Sequence, residues 1–213
     1  MEGPSLAEEM ALYGQGYQLV AGLDEAGRGA WAGPVVAGAV LLPLGRSDLA
    51  SSLSRVRDSK KLTPRQRQVA YDAIMATALA TGVGVVGPEI VDRLGIVPAT
   101  RLAMRLALAR FPFSPQFLLI DALELQDLPL PQKGLPKGDG RCLSIAAASV
   151  VAKVSRDRLM VEFDSRYPGY GFARHKGYGT PQHQEALNRL GPIPIHRLSY
   201  APLRRLKAGE KLG

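Results

Sequence analysis

The stretch Gly22-Leu23-Asp24-Glu25-Ala26-Gly27-Arg28-Gly29-Ala30-Trp31-Ala32-Gly33-Pro34-Val35-Val36 decides how this chain is read. The apolar run from Tyr17 to Leu23 predicts a strand ending at Asp24-Glu25, and Val35 to Leu42 predicts a second strand after a turn rich in glycine. Within the turn, Gly27-Arg28-Gly29-Ala30-Trp31-Ala32 has the spacing of a dinucleotide-binding G-x-G-x-x-A, with Asp48 about 20 residues further on. That fingerprint must open a helix, because the bound pyrophosphate sits on the helix N-terminus. Gly33-Pro34 and the β-branched residues after it open a strand instead, so the dinucleotide fold is excluded. The chain also lacks a G-x-x-x-x-G-K-S/T loop and a G-x-S-x-G elbow.

Outward from this stretch, strands and helices alternate without an internal repeat. Thr63-Pro64-Arg65-Gln66 has the form of a capping box with proline at the first helical position, which predicts a helix to about Thr81. Gly82 to Val86 reads as a short strand, followed by helices at Glu89–Leu94 and Ala99–Arg110 split by Gly95 and Pro98. Phe117-Leu118-Leu119-Ile120 is a compact apolar run suited to a buried strand, closed by Asp121. Leu125 to Gly140 holds three prolines and three glycines and predicts a mobile loop. A long helix from Leu143 to Asp164 leads into the C-terminal part. The pattern is α/β with a mixed sheet.

Composition narrows the function. The 213 residues are 46% hydrophobic, enough for a real core, and carry a formal net charge of +8, which favours a polyanionic partner, nucleic acid before an anionic membrane surface. Eight basic residues stand against Glu185 and Glu210 from Arg174 to Gly213, with Tyr178 and Tyr200 interleaved and Tyr170 and Phe172 just ahead. Basic groups for phosphates and aromatics for sugars or bases are what a nucleic-acid surface needs. His175, His183 and His196 lie in the same region, too scattered to favour a zinc site. A lone Cys142 excludes an internal disulfide and suits a reducing cytoplasmic setting. The N-terminus lacks the basic-then-apolar order of a signal peptide, and prolines and glycines break the longest uncharged run, Gly29 to Gly45. No membrane association is expected, and nothing demands more than a monomer.

Three carboxylate positions ask for a reason. Asp24-Glu25 and Asp121 each close an apolar strand, where ligands gather in open α/β sheets, although a strand end running into solvent explains each one equally well alone. On the long helix, Leu143, Ala147, Val150, Val154 and Val161 share a stripe, and Asp157 falls on it. A carboxylate there needs a partner. Lys153, four residues back, would give an ordinary ion pair; a divalent cation shared with Asp24, Glu25 and Asp121 is the alternative, since hard cations prefer carboxylate oxygens. An acidic site within a basic protein suits an enzyme acting on a nucleic-acid backbone.

The segment from Gly22 to Gly29 with Gly33-Pro34-Val35-Val36 strongly resembles the opening signature of ribonuclease HII, the bacterial type 2 ribonuclease H. Further segments agree in order: Asp58-Ser59-Lys60-Lys61-Leu62; Lys137-Gly138-Asp139 leading to Ser144 through Ser149; Ala152-Lys153-Val154-Ser155-Arg156-Asp157; His175-Lys176-Gly177-Tyr178-Gly179-Thr180; and Gly191-Pro192 through His196-Arg197. The resemblance implies an RNase H-like fold, a five-stranded mixed sheet flanked by helices, over residues 1–173, with a small basic helical part at 174–213 that contributes to substrate binding. It implies an endoribonuclease that cleaves RNA in RNA–DNA hybrids and nicks 5′ to single ribonucleotides in duplex DNA. Two Mg²⁺ or Mn²⁺ ions held by Asp24, Glu25, Asp121 and Asp157 would serve the hydrolysis, giving 5′-phosphate and 3′-hydroxyl ends. Gly27, Arg28 and Gly29 match the family's 2′-hydroxyl sensor, Tyr178 the tyrosine that works with it, and Lys60 and Lys61 are expected at phosphates. Ser144 and Ser149 fit either phosphate contact or simple helix packing. Ribonuclease HIII, a relative with an additional N-terminal domain, is disfavoured because about 16 residues precede the first strand.

Overall fold

The computed structural model describes residues 3–212. Helix α1 (Ala7–Gly14) precedes the antiparallel pair β1 (Val20–Ala26) and β2 (Val35–Leu41), followed by the short α2 (Leu49–Ser52) and then α3 (Pro64–Thr77). The edge strand β3 (Ala80–Val86) leads to α4 (Pro88–Leu94) and α5 (Ile96–Leu108), then to β4 (Phe117–Asp121) and β5 (Gln132–Leu135). The long α6 (Leu143–Arg166) and the small helices α7 (Phe172–His175), α8 (Pro181–Leu190) and α9 (Ala201–Lys207) complete the chain. The sheet has five strands in the order β3-β2-β1-β4-β5, antiparallel across β3-β2-β1 and parallel across β1-β4-β5, which is the mixed sheet expected.

The capping box forms as read. Thr63 N–H donates to Gln66 Oε1 at 2.9 Å, and Gln66 N–H donates to Thr63 Oγ1 at 3.3 Å. The helix stops at Thr77, short of Thr81, because Leu79 N–H bonds to the Leu41 carbonyl and Ala80 and Thr81 pair with β2. Sheet pairing overrides the modest helix preference of alanine here. Helix α5 starts at Ile96 rather than Ala99, since the first turn of a helix leaves its N–H groups free and tolerates Pro98.

Two differences bear on the site. β1 runs to Ala26, so Asp24 and Glu25 lie inside the strand, opposite Gly38 and Ala37, rather than at its end. The segment Leu125–Gly140, expected to be a mobile loop, contains β5, and the Gln132 side chain ties it down by accepting from Leu125 N–H at 2.7 Å and donating to the Leu125 carbonyl at 3.1 Å.

Helix α6 covers one face of the sheet and α5 the other. The α6 contact is close enough that a Cβ on Gly22 would lie 2.2 Å from the Ser144 carbonyl carbon, and one on Gly38 2.3 Å from the Ala148 oxygen. Every residue of α6 from Leu143 to Ala152 is buried, so this part of the helix is enclosed all round, with Ser144 and Ser149 among otherwise apolar side chains. Farther along, the stripe departs from expectation: Val161 is 47% exposed, while Arg156 and Met160 are fully buried. The last turns of α6 leave the sheet and face a third apolar cluster that includes Ala32, Tyr170, Phe172, Leu187 and Leu203.

Candidate active site

The period of two in a strand sorts the carboxylates by face. On β1, Ala21 and Leu23 face the α5 side, so Gly22 and Asp24 face α6; on β4, Leu118 and Ile120 face α5, so Leu119 and Asp121 face α6. Leu23 is paired with Ile120 in the parallel ladder, and Asp24 and Asp121 follow one position on. They share one face at the carboxyl ends of adjacent parallel strands, where ligands gather.

Asp24 is 2% exposed; its Oδ1 accepts the Glu25 N–H at 2.7 Å, and its Oδ2 is buried without a partner. Burial raises its pKa well above the carboxylate range, and the nearby charges of Glu25 and Asp121 push the same way. Glu25 is also raised by burial, against the pull of Arg28, whose Nη1 donates to Oε1 at 3.2 Å; Glu25 Oε2 has no partner. Asp121 is raised by burial despite the Gly138 N–H donated to Oδ1 at 2.7 Å. Three carboxylates thus raise one another's cost of ionisation, and two buried oxygens are left unpaired. Such an all-oxygen donor set fits a hard divalent cation, which would relieve both defects.

Asp157 stands apart. Its Oδ1 accepts from Lys153 Nζ at 2.6 Å and its Oδ2 from Arg67 Nη1 at 3.4 Å, so the ordinary i, i+4 pair forms, with a second cation added. Among the described residues, no three His, Cys, Asp or Glu side chains are placed together as a ready metal cage. Lys60 follows an Asp58 cap and bonds Asp139 Oδ2 at 3.2 Å, with its charge reaching Glu25 and Asp121. Lys61 is exposed. Ser149 is buried, its hydroxyl oxygen 2.7 Å from that of Ser59, and it stands beside Asp24, whose raised pKa it opposes; Ser144 is buried too.

The turn after β1 meets the segment before α8. Gly27 has φ +90°, and a Cβ there would fall 2.0 Å from Arg156 Nε. A Cβ on Gly29 would meet no atom within 4 Å. The Arg28 carbonyl accepts from Arg197 Nη1 at 2.9 Å and from the Tyr200 hydroxyl at 2.6 Å. Trp31 and Ala32 both donate their N–H groups to the Gly177 carbonyl, at 2.8 and 3.2 Å, which seats Tyr178 beside the turn with its side chain 37% exposed.

The model of the ribonuclease HII family matches residues 21–203. The chain belongs to the ribonuclease HII family. Relatives named ribonuclease HII include one from Dehalococcoides mccartyi, 53% identical over 203 residues and 95% of each chain, and one from Roseiflexus castenholzii, 55% identical over 200 residues, covering 94% of this chain and 89% of its own. The ribonuclease H2 of Pyrococcus horikoshii OT3 superposes with a TM-score of 0.76 at 25% identity, over 90% of this chain and 98% of its own. An RNase HII of Archaeoglobus fulgidus, solved in a complex with PCNA, gives 0.68 at 25% identity, over 90% and 95%. A ribonuclease HII is a metal-dependent endoribonuclease acting on RNA–DNA hybrids, and its RNase H-like fold is the one seen here. Among the described residues, no helix is long and apolar enough to cross a membrane.

The ribonuclease HII motifs also hold residues that periodicity and spacing did not single out. Asp139 is buried and pairs with Lys60 beside Asp121; its only sequence signal was the Lys137-Gly138-Asp139 motif. Arg156 and Arg197 are fully buried, and each donates to backbone carbonyls. The three histidines, scattered in sequence, meet in space. His175 stacks on His183 with centroids 4.5 Å apart, and His183 Nε2 lies 3.1 Å from His196 Nε2. Ile193 N–H donates to His196 Nδ1, which makes His196 Nε2–H the donor to His183 and leaves His183 Nδ1–H to donate to the Tyr178 carbonyl at 3.0 Å. Burial, reinforced by the neighbouring histidines, holds His183 down to about 3, and burial holds His196 down to about 4. Both are neutral hydrogen-bonding parts of the scaffold at neutral pH.

Proposed function

We propose that the chain, besides acting on RNA–DNA hybrids, nicks duplex DNA on the 5′ side of a single embedded ribonucleotide, leaving 5′-phosphate and 3′-hydroxyl ends. The observation that carries this reading is the joint between the Gly27–Gly29 turn and Tyr178, built next to the carboxylates of β1 and β4. Reading one ribose requires groups that sense a 2′-hydroxyl, which both donates and accepts. The open space at Gly29 supports close approach of a sugar to the backbone, and the accessible Tyr178 ring supports packing on the deoxyribose that follows.

Asp24, Glu25, Asp121 and Asp157 would hold two Mg²⁺ or Mn²⁺ ions; the unpaired oxygens of Asp24 and Glu25 support the first two assignments. What such ions supply when bound is activation of water for in-line attack and stabilisation of the leaving 3′ oxygen. Arg28 holds Glu25 Oε1 and thereby orients the other oxygen of that carboxylate. Asp139 holds Lys60 at the mouth of the cluster, where Lys60, with Lys61, would meet a phosphate. The basic residues of 174–213 would extend the backbone contacts on a monomeric, cytoplasmic enzyme.

The test is cleavage of a duplex DNA carrying one ribonucleotide, with Mg²⁺ and with EDTA, alongside an all-DNA duplex and the Asp24→Asn variant. Metal-dependent nicking 5′ to the ribonucleotide, lost in the variant, is expected. Cutting confined to long hybrids would overturn the single-ribonucleotide reading and leave the hybrid nuclease.

A further inference from the structure

Arg156 is a buried cation that forms no ion pair with a carboxylate among the described residues. Nε donates to the Pro34 carbonyl at 2.9 Å, Nη2 to the Ala32 carbonyl at 3.0 Å and Nη1 to the Lys176 carbonyl at 2.9 Å. Its guanidinium carbon lies 5.5 Å from the centroid of the Tyr178 ring, and its Nε fills the place where a Cβ on Gly27 would be. Burying an arginine without an anion is costly, so a fold that needed only packing at this point would carry an apolar side chain. A planar fork presents its donors on separate nitrogens in fixed directions, so it holds the carbonyls of Ala32, Pro34 and the distant Lys176 at set spacings, whereas the three donors of an ammonium share one atom. The turn it holds also needs holding: Lys176 has φ +53°, a left-handed backbone that a non-glycine residue adopts under strain, and Gly177 follows at +80°.

We infer that Arg156 is a specificity-determining positioning residue, which sets the spacing between the Gly27–Gly29 turn and the Tyr178 ring so that a ribose followed by a deoxyribose fits between them. The inference rests on the proposed reading of a single ribonucleotide and adds the residue that tunes it. Arg156 touches no substrate; it acts through the backbone of the turn on one side and through the face of Tyr178 on the other. Burial pulls its pKa down to about 10, which leaves the guanidinium charged at neutral pH.

The test compares kcat/KM on duplex DNA containing one ribonucleotide with kcat/KM on a continuous RNA–DNA hybrid, for the wild type, Arg156→Lys, Tyr178→Ala and the double variant. Lysine keeps the charge and loses the fork. Misplacing a positioned group by about 1 Å costs up to about 100-fold. Arg156→Lys should therefore lower the single-ribonucleotide value 10-fold or more and the hybrid value threefold at most. The double variant should be hardly worse than Tyr178→Ala, because both changes disable one device. Trp31, the sole tryptophan, donates its backbone N–H to Gly177, so its emission should shift in Arg156→Lys while the far-ultraviolet spectrum stays that of the wild type. Arg156→Gln replaces the lysine variant if the latter melts below the assay temperature. An equal fall on both substrates, or additive losses in the double variant, would reduce Arg156 to a structural residue and overturn the inference. A wild type that nicks no single-ribonucleotide duplex would instead remove the underlying reading, and this inference with it.

Discussion

Lys153 donates to Asp157 across one helical turn at 2.6 Å, and the same ammonium stands 6.0 Å from the centroid of the Tyr178 ring. One cation therefore adjoins the proposed metal ligand on α6 and the aromatic proposed to read the substrate. Burial lowers the pKa of Lys153, although its bond to Asp157 works the other way. An ammonium in this place competes with any metal ion for Asp157.

Removing that competitor should tighten metal binding. A hydrogen bond to a charged group is worth about 1.5–3 kcal/mol. Lys153→Met should lower the Mg²⁺ concentration for half-maximal hybrid cleavage by about 10-fold, the lower end of that range, because Arg67 still holds the other oxygen of Asp157. A metal titration of initial rates checks this, and an unchanged or higher requirement would show that Lys153 does not compete with the ion.

Asp24→Asn should yield a protein that is inactive yet more stable without metal. Asp24 has a folded pKa raised above its unfolded value of about 4, so its ionised form is a penalty that is full above the raised pKa. The penalty shrinks as pH falls through that value and is gone below about pH 4. In EDTA the variant should melt higher at neutral pH, by about 2–4 °C for each kcal/mol relieved, and the two curves should converge toward pH 4. A variant less stable at every pH would contradict the assignment of Asp24 as a strained, unpartnered carboxylate.

His183 and His196 predict the opposite slope. Their folded pKa values of about 3 and about 4 lie below the unfolded value of about 6.5, so the unfolded chain takes up protons that the folded one refuses. Their contribution is complete above about pH 6.5 and is lost as pH falls toward 4. Urea unfolding of wild type and His183→Asn at pH 7 and at pH 5 should show a smaller loss between the two values in the variant.

Gly27 and Gly29 should respond differently to alanine. Gly27→Ala meets both a positive φ and Arg156 at 2.0 Å, and should cost more than about 2 kcal/mol of stability. Gly29→Ala faces open space and should unfold like the wild type, yet lose about 10-fold on the single-ribonucleotide duplex because the new methyl keeps the sugar from the backbone. Equal activity of Gly29→Ala and wild type on that duplex would remove Gly29 from the substrate contact.

What could be read without coordinates was whatever rests on local chemistry. Alternating and continuous apolar runs announced β1, β2, β4 and α6, and the capping box placed the start of α3, because these signals lie within a few residues of one another. Asp24-Glu25 and Asp121 stood out because each follows directly on an apolar run. Tertiary structure decided the rest. β5 has little apolar pattern of its own and exists because β4 offers it a ladder; the final turns of α6 bury Arg156 rather than Asp157 because carbonyls from Ala32, Pro34 and Lys176 converge on it. His183 and His196 became hydrogen-bonded partners only when 13 residues of chain folded back on themselves, and Tyr178 came to lie beside the turn after β1 only when segments more than 140 residues apart were brought together. Strand and helix periods describe a residue and its near neighbours, whereas the partners of a buried guanidinium or imidazole are set by which distant backbone groups the fold leaves unsatisfied.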